Sequence, residues 1–142
     1  MPILIHNNHP ELQPPQEQGL IDFLELLLKN ENHNPGEINI VYTTNQEILE
    51  LNKKYLDHNY FTDVLAFRYN EGSTIDGDIF ISLDKVKENA LDYNTEFYNE
   101  CLRVVIHGLL HLTGYTDSTE TTRKHMHELE DHYLHAFFSK NE

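Results

Sequence analysis

Cysteine is almost missing from this chain. The lone Cys101 rules out an internal disulfide and fits a reducing cytoplasm. Positive charge is scarce too: ten Lys and Arg stand against 24 Asp and Glu, for a formal net charge of −14. So acidic a chain repels phosphate backbones at long range, and nucleic-acid binding then requires a local basic surface that overrides the global field. No apolar run reaches membrane length, and no basic-then-apolar segment opens the chain. These absences predict a cytoplasmic protein with no membrane partner. No repeat, linker or low-complexity stretch is present, so 142 residues predict one domain over 1–142.

What is there suits a soluble globular fold: 39% hydrophobic and 24% charged residues. A chain of this size buries roughly two-thirds of its unfolded surface and needs no staple. The basic residues Lys53, Lys54, Arg68, Lys85, Lys87, Arg103, Arg123 and Lys124 lie mid-chain or near its histidine-rich second half. Most read as solvated helix faces. His125, His127, His132 and His135 crowd the C-terminal segment and read as surface histidines of an amphipathic helix.

Periodicity predicts the elements. Ile3-Leu-Ile-His-Asn is a short strand. Pro14-Pro15 suits a first turn, and Leu20, Phe23, Leu24, Leu27 and Leu28 continue at helical spacing to about Lys29. Asn32 to Gly36 reads as a loop, and Glu37 to Thr43 alternates as a strand. Thr44-x-x-Glu47 reads as a capping box, with Ile48, Leu49, Leu51 and Tyr55 as the apolar face behind it. Asp57-His-Asn-Tyr is a turn, Asp63 to Tyr69 a strand, Glu71-Gly-Ser-Thr a polar turn and Gly77 to Ser82 a fourth strand. Ser82 caps a third helix running to about Tyr93. Thr95 caps a fourth with Phe97, Leu102, Val105, Leu109 and Leu112 inward. Ser118 or Thr119 opens the last, whose stripe is Met126, Leu129, Tyr133, Phe137 and Phe138. Four strands and five helices in this order predict an α+β fold, a small sheet with helices over it.

The chemistry concentrates in His107-Gly-Leu-Leu-His111-Leu-Thr-Gly114-Tyr-Thr-Asp117. Histidines four apart on a helix share one face, one turn apart, and can share one metal ion. Gly114 lets the chain leave the helix, and the return brings Asp117 back as an oxygen ligand. Three protein ligands leave a coordination position for water, the layout of a catalytic metal. The spacing matches the metzincin run H-E-x-x-H-x-x-G-x-x-H with two changes. Gly108 stands where the peptidase general base would be, and Asp117 replaces the last histidine. Arg103, one turn before His107, reads either as a phosphate contact or support for a metal ligand, or as a helix-surface ion pair. Thr62 and Asp63 open the strand that should face this helix.

Four runs in order resemble the YbeY family: Leu51-Asn-Lys-Lys-Tyr55, Thr62-Asp-Val-Leu-Ala-Phe67, Gly77-Asp-Ile-Phe-Ile-Ser82 and His107 to Tyr115. The resemblance implies a zincin-like fold with a small mixed four-stranded sheet under about five helices. It also implies a zinc ion, cleavage of single-stranded RNA rather than DNA, and a role in small-subunit ribosomal RNA maturation and ribosome quality control. His107, His111 and Arg103 become the expected catalytic residues, with His107, His111 and Asp117 on the metal. The family pattern has histidine at position 117 and arginine at 56, where this chain has Asp117 and Leu56. A carboxylate ligand lowers the charge of the site and lets harder divalent ions compete with zinc. Lys53, Lys54 or Arg68 are the cations nearest in sequence to replace the arginine. Two other readings compete: a zincin-like peptidase, disfavoured by Gly108, and a non-catalytic ribosome biogenesis factor that keeps a metal for folding.

Overall fold

Isoleucines at every second position build the middle of the sheet. In the computed structural model, which describes residues 3–14, 19–56 and 62–140, Ile38, Ile40 and Tyr42 of β2 (Asn34–Thr43) are buried. So are Ile75, Ile79 and Ile81 of β4 (Thr74–Ser82). Side chains two apart share a face, so both strands turn one apolar face toward the helices. The two pair in parallel, with Ile40 beside Ile79. β1 (Ile3–Asn7) joins β2 in parallel, and β3 (Val64–Arg68) joins β4 antiparallel, giving the order β1-β2-β4-β3.

Five helices complete the α+β fold: α1 (Leu20–Asn30), α2 (Asn45–Leu56), α3 (Leu83–Asp92), α4 (Phe97–Leu112) and α5 (Glu120–Lys140). α4 is the axis of the core. It lies against β3 and β4, and α1, α3 and α5 pack around it. Cys101, Leu102, Val105, Leu109 and Leu112 are all buried, each large apolar side chain contributing about 1.5–3 kcal/mol. Burial in that core pushes the Cys101 thiol up to about 12, so it packs as a small apolar group. Phe23 on α1 meets Tyr133 and Phe137 on α5 edge-on, at centroid distances of 6.4 and 5.0 Å. Among the described residues no helix is long and apolar enough to cross a membrane.

Ser82 accepts the Lys85 N–H and caps α3. Thr119 accepts the Thr122 N–H and opens α5. Elsewhere long-range contacts override local signals. Of the Asn32–Gly36 loop, Asn32 and His33 stay outside the sheet, whereas Asn34 to Gly36 are the bulged start of β2, with a register break between Pro35 and Ile38. A Cβ on Gly36 would lie 2.2 Å from Asp76 Oδ1, which accepts the Glu37 N–H at 2.8 Å. An aspartate 40 residues away makes the Pro-Gly stretch a strand. The capping box is half formed: Thr44 accepts the Glu47 N–H, but the Glu47 carboxylate takes the Thr43 hydroxyl at 2.8 Å. α2 buries Ile48 and Asn52, whereas Tyr55 is exposed and packs its edge on Phe67. Thr95 does not cap α4. Its N–H closes α3 on the Ala90 carbonyl, and Glu96 stands at the N-cap without a side-chain bond. α1 begins at Leu20 after Gly19, later than the proline pair suggests; Pro15 and the Asp57-His-Asn-Tyr turn lie outside the described residues.

Candidate metal centre

The buried face of α4 aims its histidines. The rings of His107 and His111 meet edge to face, 4.5 Å between centroids, and their Nε2 atoms are 2.9 Å apart. The helix then ends in a Schellman turn. Gly114, at φ +111°, donates its N–H to the His111 carbonyl, and Tyr115 donates to the Leu110 carbonyl. Tyr115 is pinned in turn: its hydroxyl donates to Glu31 at 2.6 Å, and the Tyr133 hydroxyl donates to the same carboxylate. From this anchored bend Asp117 returns, placing Oδ2 3.2 Å from His107 Nε2 and 3.5 Å from His111 Nε2.

Hydrogen bonding at the far side of each ring decides what the near side offers. His107 Nδ1 lies 2.6 Å from Glu130 Oε2, and His111 Nδ1 lies 3.0 Å from the Tyr115 carbonyl. Carboxylate and carbonyl oxygens accept, so both Nδ1 atoms carry the hydrogen and both Nε2 atoms present lone pairs. With both rings neutral, two lone pairs and a carboxylate oxygen thus converge on one point with no donor among them. Such a cluster calls for a cation. Ligand atoms ~2.0–2.1 Å from a tetrahedral zinc stand about 3.3 Å from one another. The observed separations of 2.9, 3.2 and 3.5 Å bracket that value. His107, His111 and Asp117 therefore fit a divalent ion; they are also the one such group of His, Cys, Asp and Glu among the described residues.

Burial disfavours the imidazolium of His107, but the Glu130 carboxylate, then Asp117 and Asp63, outweigh it and raise its pKa. Gly108 lacks more than a base. A Cβ there would sit 2.7 Å from Ile79 Cγ2 and 3.2 Å from Val64 Cγ2, so the position faces the sheet and a glutamate has no room.

Arg103 reaches the site through other residues. Its Nη1 donates to Glu130 Oε1 at 2.8 Å and its Nη2 to Asp131 Oδ1 at 2.5 Å. The ion pair and the supporting role weighed for it turn out to be one arrangement, since Glu130 also holds His107. Both its terminal nitrogens are engaged, so a direct phosphate contact would require releasing a carboxylate. Sequence reasoning missed Glu130. The signal was available: it lies four residues after Met126 and three before Tyr133, a charged residue in phase with the buried stripe of α5.

Two clefts flank the triad, and His107, Asp117 and Asp63 line both. Asp63 accepts the Asn89 Nδ2 at 3.1 Å, and burial raises its pKa while the nearby His107 opposes the rise. The cleft toward α5 holds about 540 Å3 and includes Glu100, Arg103 and Arg123. The one toward α2 holds about 240 Å3 and adds Asn52, Leu56 and Thr62 to the triad, with no lysine or arginine among the described residues. Arg68 does not replace the family arginine: it donates to the Leu112 and Gly72 carbonyls. Lys54 lies over the ring of exposed Tyr55, and neither it nor Lys53 lines the cleft.

Comparison with known proteins agrees with this architecture. The family model for endoribonuclease YbeY matches residues 4–138. A curated endoribonuclease YbeY of Flavobacterium psychrophilum is 39% identical over 88% of this chain and 89% of its own length. That of Chlorobaculum tepidum is 41% identical over 84% and 87%. A solution structure from Thermotoga maritima, 30% identical, superposes with a TM-score of 0.67 over 97% of this chain and 90% of that one. With the family model spanning nearly the whole sequence and relatives this similar along most of their own length, the chain belongs to the endoribonuclease YbeY family.

Proposed function

We propose that this protein is a zinc-dependent endoribonuclease of the cytoplasm, working as one domain that cleaves single-stranded RNA in the maturation of small-subunit ribosomal RNA. The observation that carries the reading is the meeting of two imidazole lone pairs and a carboxylate oxygen at one point beside two open clefts. Family membership supplies the substrate class, since the relatives bear the name endoribonuclease.

His107, His111 and Asp117 hold the ion, which supplies Lewis acidity and positive charge for phosphoryl chemistry. Glu130 fixes the tautomer and direction of His107, and Arg103 keeps Glu130 aimed by holding its other oxygen. Arg123, exposed at the rim of the larger cleft, offers its guanidinium to the RNA backbone. Gly108, packed on Ile79 and Val64, argues against peptide hydrolysis, where a base contributes ~10²–10⁴ in rate.

The test is RNA cleavage by wild type and His111→Ala, with metal content measured on protein purified without added zinc. Activity and zinc should disappear together in the variant; equal activity in both would assign the cleavage to a contaminant. One observation favours the reading as a non-catalytic biogenesis factor: among the described residues the α2-side cleft has no lysine or arginine where the family carries arginine. A large drop in melting temperature with chelator, without any RNA cleavage, would establish that alternative.

A further inference from the structure

The walls of the larger cleft suit a base better than a phosphate. Its volume of about 540 Å3 falls within the ~300–1,000 Å3 of ordinary ligand pockets. Asp63, Glu100 and Glu130 line it, and of its two arginines Arg103 is already bonded to Glu130 and Asp131 while Arg123 stands at the rim. An anionic phosphate placed there meets repulsion from three sides. A nucleobase is neutral and carries N–H donors, which carboxylates accept.

Glu100 is a carboxylate of this cleft that neither Arg103 nor a histidine holds by a hydrogen bond. It is only 7% exposed, yet no hydrogen bond or ion pair reaches its carboxylate among the described residues. Its oxygens open to the cleft, so the carboxylate keeps its full acceptor capacity for a donor that enters there. Glu100 shares a face of α4 with Arg103 and His107, three and seven residues on. Two turns of helix, roughly 11 Å, separate it from His107. That is the order of the distance from the outer edge of a base to its own phosphate. At the same cleft Tyr93 is 68% exposed, an open ring on which a base can stack. Arg123 at the rim has no side-chain partner among the described residues and is free to meet backbone phosphate.

The choice of base follows from donor geometry. Guanine alone presents two adjacent donors, ring N1–H and the N2 amine, which the two oxygens of one carboxylate take side by side. Adenine and cytosine set an acceptor nitrogen beside their amine, facing the second oxygen. Uracil flanks its single N–H with carbonyls. We propose that this cleft is a base subsite in which Glu100 accepts the Watson–Crick edge of guanine next to the scissile phosphate. The assignment rests on the reading of this protein as a ribonuclease.

Titration of the zinc-loaded protein with guanosine, inosine and adenosine, followed by NMR shifts, tests it. Nucleosides have no scissile bond, so binding is read apart from cleavage. Guanosine should bind at least about tenfold tighter than adenosine, with inosine, which lacks the amine, between them. Glu100→Gln, close in shape, should bring the three within about twofold. Tyr93→Ala, at an exposed position, should weaken all three alike and keep their ranking. Equal binding of the three nucleosides to the wild type would overturn the subsite, as would an undiminished guanosine preference in Glu100→Gln. If Glu100→Gln does not fold, the wild-type ranking and Tyr93→Ala decide. A guanosine preference in a protein that cuts no RNA would support the subsite and remove the nuclease reading instead.

Discussion

The two flanks of the metal triad are built on opposite plans. Toward α5 the wall is charged and cross-braced: Glu130 joins His107 to Arg103, Arg103 reaches Asp131, and Arg123 stands free at the rim. Toward α2 the wall is Asn52, Leu56 and Thr62, about half the volume and without a lysine or arginine among the described residues. The contrast shows how so acidic a chain can handle RNA. Inside the α5-side cleft carboxylates outnumber the arginines and Arg103 is already paired, so Arg123 at the rim is the cation left to meet the RNA backbone, and the phosphate path should favour that rim. It also shows where the departure at Leu56 falls, on the flank that has no lysine or arginine among the described residues.

The largest effect should come from the ligands common to both flanks. Asp117→Ala removes the one anionic ligand, and zinc content and RNA cleavage should both fall to background; retention of stoichiometric zinc would break the triad itself. Next comes the bracing. Glu130→Gln keeps the shape but weakens the pull on His107 Nδ1–H, and zinc affinity by chelator competition should drop about 10–100-fold. Arg103→Leu leaves Glu130 buried and unpaired on that side, which typically costs ~3–5 kcal/mol when both partners are buried and less here, since Arg103 is partly exposed. Were both variants to bind zinc like wild type, the α5 flank would be a surface ion-pair network with no role at the metal.

What the sequence disclosed about these flanks follows the range of the interactions involved. The His107–Asp117 run was legible because its geometry is local: one helical turn, a Schellman glycine and a short return. The strands around Ile40 and Ile79 were legible because alternation is local too. Partners far along the chain were not. Asp76 turns Pro35-Gly36 into strand, and Glu130 finds His107 across 23 residues. Arg68 looked available for phosphate until its carbonyl partners at Leu112 and Gly72 were in place. Tyr55 had the phase of a core residue but stands at the end of a helix whose buried positions are Ile48 and Asn52.

Filling the poor flank is the converse experiment. Leu56 is 42% exposed and lines the α2-side cleft, so Leu56→Arg can place a guanidinium there without disturbing the core. A cation facing the phosphate should raise kcat/KM for a short RNA by about tenfold at low salt, less than the ~10²–10³ lost when a preorganised donor is removed. The gain should shrink as ionic strength rises. An unchanged rate at low salt would mean that RNA never occupies this flank and that the α5 side carries the whole path. Arg123→Ala should move binding the other way, by a few-fold, with a shallower salt dependence.

The smallest effect should appear outside both flanks. Asp84 accepts the Asn45 N–H at 2.9 Å and lies 2.8 Å from His9 Nε2, tying the segment after β1 and the start of α2 to α3. Burial pushes its pKa up, but the Asn45 amide and His9 outweigh burial and hold it below the ordinary aspartate value. A carboxyl depressed in the folded state stabilises above its unfolded pKa of ~3.9 and loses that contribution as pH falls through the folded value. With 39% of its side chain exposed, solvent screens the interaction and the contribution should stay under about 1 kcal/mol. Asp84→Asn should therefore melt a few degrees below wild type at pH 6, and the gap should narrow as pH falls below the ordinary aspartate value of ~3.9. Cleavage at neutral pH should be the same in both proteins. A large loss of cleavage in Asp84→Asn at unchanged zinc content would show that α3 reports to the metal, and the division into two flanks would have to include it.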